Sequence, residues 1–282
     1  MNLLYILFAC IFSLATISCT TLSPQTRSLL DQTISLKSQD IDAVPNLSKD
    51  DGDCGPAALA MVLHWSGLSI PIAEIKPKTY TPMRNGSLPS DMISTARNYG
   101  MIAVEINSMN SIVKELGGGY PVIALLNMGF SWLPVWHYVV IVGYDMEQQE
   151  FKLFTGKKTK ESMPFTYFER HWSLSNYWAL VVVPPDHLVY SAGELAHMKA
   201  ASGLEALGHL SAAKTAYKTI LKKWPNSFTA HVGMGNIAYQ EKNYTLAEKF
   251  LIKAVQLKPA SRAAKNNLSI VRKERHSANS KL

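Results

Sequence analysis

The chain has 282 residues, enough for one domain of ordinary size and a smaller second one. Aliphatic, aromatic and cysteine residues make up 47% of it, which excludes wholesale disorder. The formal net charge is +7, but much of the excess lies in the last third, without a basic motif interleaved with aromatic residues. A nucleic-acid partner is therefore not expected. The positive charge is better explained by solvent-exposed faces of helices.

The amino-terminal 18 residues carry no charged side chain and are followed directly by Cys19. An apolar run of this length, ahead of a polar stretch, is typical of an export signal. It resembles a bacterial lipoprotein signal, which implies that residues 1–19 are the signal and that Cys19 receives lipid. The protein would then be a membrane-anchored lipoprotein of the bacterial cell envelope, facing the periplasm. An uncleaved membrane anchor is the alternative, and both interpretations place the rest outside the cytoplasm.

Under this interpretation the three cysteines have different roles. Cys10 would leave with the signal and Cys19 would carry lipid, so Cys54 would be the only thiol. In an oxidising compartment a single cysteine is either buried and inert or reactive.

The next segments predict a tether and then a mixed domain. Residues 20–43 are polar and predict a tether with one short helix. Helices are predicted from Gly55 to about Ser66 and again after Ser90, whose side chain would cap the second one. Five strands follow, at MIAVEI, YPVIALLNM, WHYVVIVGY, EFKLFT and YWALVVV, with a helix at PFTYFERHW before the last. Helices ahead of a strand meander predict an α+β domain over residues 44–185.

Residues 191–275 are helical in pattern and contain a repeat. Pro225 and Pro259 are 34 residues apart, as are Ala213 and Ala247. The spacing resembles the tetratricopeptide repeat, which implies stacked helix pairs, a last helix covering the open end, and a protein partner. An unrelated pair of helical hairpins is the alternative, and residues 276–282 form a tail.

Cys54 is placed at the start of a helix by the glycine and proline that follow it. A thiol there lies near the positive end of the helix dipole and near unpaired backbone N–H groups, so its thiolate is favoured. The same N–H groups can hold the oxyanion that forms when a thiolate attacks a carbonyl. A buried structural cysteine is equally compatible with this segment alone.

A thiol nucleophile requires a base, and histidine is the usual one. Five of the eight histidines fall in the predicted linker, repeats or tail. His64 lies on the cysteine's own helix, about 15 Å away, and His171 is typical of a capping or packing residue. His137 remains, at the start of a predicted strand from which its ring can project.

The segments DCGPAALAMVL and WHYVVIVGYD resemble the papain-like bacterial cysteine peptidases related to the bacteriocin-processing peptidases that cut after double-glycine leaders. The resemblance covers residues 44–183. It implies an α+β papain-like cysteine peptidase domain followed by an all-α tetratricopeptide repeat domain. It also implies Cys54 as nucleophile, His137 as base, and a peptide or protein substrate.

The sequence departs from that family at two positions. The family has an Asp-Pro on the strand after the histidine and a Gln shortly before the cysteine, where this chain has Thr155-Gly156 and Ser48-Lys49. Asp145 lies about 26 Å along the histidine strand and cannot replace the acid. We therefore expect the Thr155 hydroxyl to accept a hydrogen bond from the imidazole, and Lys49 or a backbone donor to complete the oxyanion hole.

Two functions follow from these residues. The first is a cell-envelope cysteine peptidase, or a related thiol acyltransferase, that uses Cys54 and His137. The second is a catalytically inactive peptide-binding or scaffold lipoprotein, which the missing Asp and Gln favour. No ligand spacing for a metal is present, and no cofactor is expected.

Overall fold

The structure is a computed structural model of the chain. It describes residues 23–31, 38–47, 53–84, 86–157 and 159–280. The predicted signal, the lipidation site at Cys19 and the candidate oxyanion donor Lys49 lie outside these stretches, so all three stay predictions.

The described residues contain nine strands and eleven α-helices. The strands are β1 (Gln39–Asp40), β2 (Tyr80–Thr81), β3 (Gly86–Ser87), β4 (Ile102–Ile106), β5 (Val122–Asn127), β6 (Trp136–Asp145), β7 (Glu150–Phe154), β8 (Glu161–Pro164) and β9 (Ala179–Val183). The helices are α1 (Pro24–Asp31), α2 (Cys54–Trp65), α3 (Ile72–Thr79), α4 (Pro89–Asn98), α5 (Met109–Gly117), α6 (Phe165–Ser173), α7 (Glu194–Ala206), α8 (Leu210–Lys223), α9 (Phe228–Gln240), α10 (Tyr244–Leu257) and α11 (Arg262–Asn279). Among the helices in this part of the chain, none has the length and hydropathy needed to cross a membrane.

The main sheet has seven antiparallel strands, in the order β4-β9-β5-β6-β7-β8, with β1 added to the far end of β6. The predicted meander is therefore correct only for β5 to β7, which the unpredicted strand β8 continues. Helix α6 packs against β5 and leads the chain back across the sheet, so that β9 enters between β4 and β5. Every residue of β5 and β9 is buried, which explains why both segments are nearly continuous apolar runs.

Helix α2 lies at the centre of this domain. Its residues from Gly55 to Leu63 are all buried, and it packs against β6 and β5. A helix that is apolar on all sides is stable only when protein surrounds it completely. Its position in the core fixes where Cys54, its first residue, meets the sheet.

The predicted tether over residues 20–43 is partly wrong. The one short helix is present as α1, but it packs on the domain with Thr26 and Leu29 buried. The Glu169 carboxylate accepts hydrogen bonds from the backbone N–H groups of Gln25 (2.9 Å) and Thr26 (2.6 Å). Strand β1 then pairs with β6, so this segment contributes to the fold.

One further local prediction needs correction, and several short elements were missed. Ser90 does not cap its helix, because α4 already begins at Pro89, whose fixed φ suits the first turn. Helices α3 and α5 and strand β8 were not predicted. Each is short, and α3 contains Pro77, which disguises the helical pattern.

The carboxy-terminal region consists of helices α7 to α11. The first helices of successive pairs begin at residues 194, 228 and 262, and the second helices begin at 210 and 244, so both sets repeat every 34 residues. A side chain on Gly235 would place its Cβ 2.7 Å from Leu251 Cγ, so α9 and α10 approach closely only because this residue is glycine. The region joins the sheet where α7 packs against β4.

Candidate active site

Cys54 is the first residue of α2, and its side chain is partly buried. The preceding residue, Asp53, is 6% exposed and makes no side-chain hydrogen bond to the helix start. Its carboxylate instead forms an ion pair with Lys76, with Nζ 2.7 Å from Oδ1. Lys76 therefore compensates the negative charge that Asp53 places next to Cys54.

The start of α2 is in contact with the start of β6. A Cβ on Gly55, the residue after Cys54, would lie 3.4 Å from Cδ2 of Tyr138, the residue after His137. Burial raises the pKa of the Tyr138 phenol, and the neighbouring Cys54 raises it further. Tyr138 therefore stays neutral, and its hydroxyl donates to the Ser87 carbonyl at 3.1 Å. The fold thus brings the two predicted catalytic segments together through the residues that follow Cys54 and His137.

The imidazole of His137 is oriented by a backbone oxygen. Its Nε2 lies 2.8 Å from the carbonyl oxygen of Thr155. A carbonyl oxygen can only accept, so Nε2 carries the hydrogen, and the lone pair of the neutral ring is on Nδ1. This is the tautomer in which Nδ1 can take a proton from a thiol.

The predicted role of the Thr155 hydroxyl is corrected by this geometry. The hydroxyl donates to Oε2 of Glu161 at 2.7 Å, whereas the carbonyl contacts the ring. The reason is the position of β8, which pairs with β7 and brings Glu161 next to the end of that strand. Thr155 therefore orients His137 through its backbone atom.

Glu161 is a carboxylate beside the site that the sequence did not reveal. Lys157 donates to its Oε1 at 2.6 Å, and hydrogen bonds from Lys157 and Thr155 lower the pKa of the carboxyl group. The nearby His137 ring lowers the same pKa slightly. The sequence signal that could have revealed it is a glutamate four residues after a lysine, just beyond the turn at Gly156. It was missed because no returning strand was predicted there.

The other acidic and histidine candidates lie elsewhere. Asp145 ends β6, at the opposite end of the strand from His137, and accepts from the backbone N–H groups of Glu147 and Gln148 at 3.0 Å. This carboxylate stabilises the β6–β7 turn. His171 Nδ1 contacts the carbonyl oxygen of Asn127 at 2.8 Å, which fits the predicted capping or packing role.

An open groove of about 540 Å³ borders the imidazole. Its lining is mixed, with a lysine and a glutamate as well as methionine and tyrosine side chains. Its lining includes His137, Thr155, Lys157, Glu161, Met163 and Tyr167. An extended peptide backbone with one or two apolar side chains fits a groove of this composition.

Comparisons with known proteins find similarity in the first part of the chain. No curated protein matches the sequence. The model of the Peptidase_C39 like family matches residues 40–179, which include Cys54, His137 and Thr155. The match begins four residues before the predicted domain start at residue 44.

Three solved structures are similar to the chain. A protein from Bacillus anthracis described as a C39-like peptidase is 17% identical, with a TM-score of 0.45, over 52% of this chain and 98% of that one. The peptidase domain of Streptococcus ComA, a bifunctional ABC transporter, is 21% identical (TM-score 0.40; 49% and 96% covered). A double-glycine-motif protease of an AMS/PCAT transporter, in complex with a leader peptide, is 22% identical (TM-score 0.39; 51% and 93% covered). Residues 40–179 match the Peptidase_C39 like family, and a region of helices follows them.

Proposed function

We propose that this protein is a cysteine peptidase of the bacterial cell envelope, with Cys54 as nucleophile and His137 as general base. One observation carries the proposal: the start of α2 contacts the start of β6 inside the region that matches a C39-like peptidase family. The substrate is a peptide or protein that lies in the groove beside His137.

The chemistry uses one thiol and one imidazole. His137 Nδ1 takes the proton of Cys54, and the thiolate attacks the carbonyl carbon of the peptide bond. The imidazolium then gives this proton to the leaving nitrogen as the C–N bond breaks, which leaves a thioester. Water, deprotonated by the same ring, hydrolyses the thioester and releases a carboxylic acid and the thiol.

The oxyanion of each tetrahedral intermediate needs hydrogen-bond donors. The backbone N–H groups at the start of α2 supply them, aided by the helix dipole. Lys49, five residues before Cys54, is the proposed additional donor in place of the family's glutamine. Loss of such a donor raises the activation barrier by about 2.7–4 kcal/mol. Replacing Lys49 would therefore show whether it completes the oxyanion hole.

The regions on either side of the domain support the proposed protein partner and cellular location. The 34-residue period of the helix starts supports tetratricopeptide repeats, which would dock a protein partner on a concave face. The apolar amino-terminal segment supports a lipid on Cys19 or a membrane anchor.

The proposal is tested by labelling the full chain with a peptidyl electrophile and locating the adduct by mass spectrometry. We expect the label on Cys54, and we expect His137→Ala to slow labelling by about 10²–10⁴-fold because the base is lost. His171→Ala is the matched control, since that ring also contacts a backbone carbonyl. It should leave the labelling rate nearly unchanged.

The alternative is an inactive peptide-binding or scaffold lipoprotein. It is favoured by one observation: a carbonyl, not a carboxylate, holds the His137 ring. Under this alternative Cys54 reacts no faster than an ordinary thiol, and His137→Ala does not change its rate. That result would exclude the peptidase.

A further inference from the structure

The connection between β5 and β6 exposes an unusual amount of apolar surface. We call residues 128–136 the aromatic hairpin, and its sequence MGFSWLPVW contains no charged residue. Every residue from 131 to 136 is exposed, including Trp132 at 77%, Leu133 at 58% and Trp136 at 49%. Phe130 is 62% exposed. The hairpin therefore exposes several large apolar side chains to solvent, which is unusual for a surface loop.

The aromatic hairpin is nevertheless well ordered by its own hydrogen bonds. The Asn127 side-chain oxygen accepts from the backbone N–H groups of Gly129 and Val135, both at 2.9 Å. Phe130 and Leu133 each donate their backbone N–H to the other's carbonyl, at 3.0 and 3.2 Å. These contacts satisfy peptide groups that would cost several kcal/mol each if left unpaired in an apolar medium.

Basic side chains lie next to the aromatic hairpin. Arg170 and His171, on α6, border a cavity whose other wall is formed by residues 128–131. Lys157 lines the His137 groove together with Met128 and Val135, and its ammonium group also forms an ion pair with Glu161. Tryptophan rings and flanking cations are characteristic of segments that enter the headgroup region of a bilayer, where cations meet lipid phosphates.

From these observations we propose that the aromatic hairpin inserts into the headgroup and upper acyl region of a membrane that contains anionic lipid. A protein partner with a flat surface would cover one side of the hairpin and leave the other in water. A bilayer surrounds an inserted tip on all sides, which fits the exposure of every residue from 131 to 136. The N–H groups of residues 129, 130, 133 and 135 are already paired within the protein, which lowers the cost of entering that medium.

Membrane insertion would also determine what the groove meets. The hairpin leads directly into His137, so an inserted tip holds the groove at the bilayer surface. The inference does not depend on peptidase activity, because it concerns a surface outside the catalytic pair.

The test places a fluorophore on the hairpin tip. In the full chain, the three native cysteines are replaced by serine, Ser131→Cys is introduced, and its thiol is labelled with an environment-sensitive dye. The protein is mixed with vesicles of phosphatidylethanolamine and phosphatidylglycerol, with or without brominated acyl chains. Met83→Cys, at a site that is 99% exposed, is the matched control.

We expect the dye at position 131 to shift to shorter wavelength with vesicles and to be quenched by the brominated chains, while the dye at position 83 does neither. An unshifted dye at position 131 would overturn the inference. A blue shift without vesicles would also overturn it, because another part of the chain or, if the shift vanishes on dilution, a second copy would cover the hairpin.

The charge requirement has its own controls. Arg170→Gln should weaken the shift, and so should removal of phosphatidylglycerol, because a cation beside the tip would lose its lipid phosphate partner. An equal shift in both cases would overturn the role of anionic lipid. Because Cys54 is absent from these proteins, no outcome depends on catalysis.

Discussion

At the residue scale, the imidazole of His137 is oriented by a backbone carbonyl oxygen, and the sequence around His137 does not reveal this contact. The Thr155 carbonyl fixes the ring's tautomer, but a carbonyl dipole stabilises an imidazolium less than a carboxylate does. Glu161 supplies a negative charge one hydrogen bond further away, through the Thr155 hydroxyl. The site therefore combines a strong orienting contact with a more distant charge.

Thr155→Val tests which atom of residue 155 acts. Valine has a similar shape and keeps the carbonyl, so His137 should remain oriented and Cys54 labelling should change by less than about fivefold, the effect of one modest hydrogen bond. The rate of reaction with the peptidyl electrophile measures this. A fall as large as that of His137→Ala would show that the hydroxyl is the essential group.

At the scale of elements, the predictable parts are those that local patterns specify. The apolar runs of β5, β6 and β9 and the helix start at Cys54 could be predicted because burial leaves a direct trace in composition. Helix α1 was assigned to a tether because its capping partner, Glu169, is 143 residues away from Thr26. Glu161 was missed for a related reason, since its place in the site depends on the pairing of β8 with β7.

The candidate site was likewise only half predictable. Cys54 and His137 followed from helix-start chemistry and from exclusion of the other histidines. Thr155 was the right residue with the wrong atom, because strand register decides which way a carbonyl points. Its contact with His137 could not be predicted without the register.

Gly55 allows α2 to pack closely against β3. An added Cβ would lie 2.6 Å from Ser87 Cβ, so Gly55→Ala must displace either α2 or β3. We expect this overpacking to lower the free energy of unfolding by about 1–3 kcal/mol and to slow Cys54 labelling.

Urea unfolding measures the change, with Gly193→Ala as the control. A Cβ at Gly193 meets nothing within 4 Å, so that variant should lose less than about 1 kcal/mol, mainly from the helix cap it replaces. Equal losses in both variants would contradict a packing role for Gly55.

At the scale of the whole molecule, a buried carboxylate links the sheet domain to the helices. Glu115 is fully buried, and burial raises the pKa of its carboxyl group, although backbone N–H donors oppose this. It accepts from the N–H groups of Tyr190 (3.0 Å) and Ser191 (2.6 Å), in the segment that leads into α7. This side chain therefore fastens the segment before α7 to α5, in addition to the packing of α7 against β4.

Glu115→Ala should loosen this junction. Two partly buried N–H groups would lose their acceptor, at up to about 1–3 kcal/mol each, so hydrogen exchange should accelerate in residues 188–206 more than in β5. Glu105→Ala is the control, since Glu105 accepts an exposed hydrogen bond from the Trp178 indole and does not contact the segment before α7 through any hydrogen bond among the described residues. Uniform acceleration across the chain would instead indicate a general loss of stability.

The 34-residue spacing of the helix starts has a mechanical consequence. Each helix pair rests mainly on its neighbours, and α11 has one described neighbour pair, formed by α9 and α10. A force applied at the carboxyl end would therefore remove α11 first and then whole pairs. Each pair would lengthen the chain by about 120 Å, since an extended residue spans about 3.6 Å. The sheet, whose strands β5 and β9 lie in its interior, would resist until the stack had been pulled away.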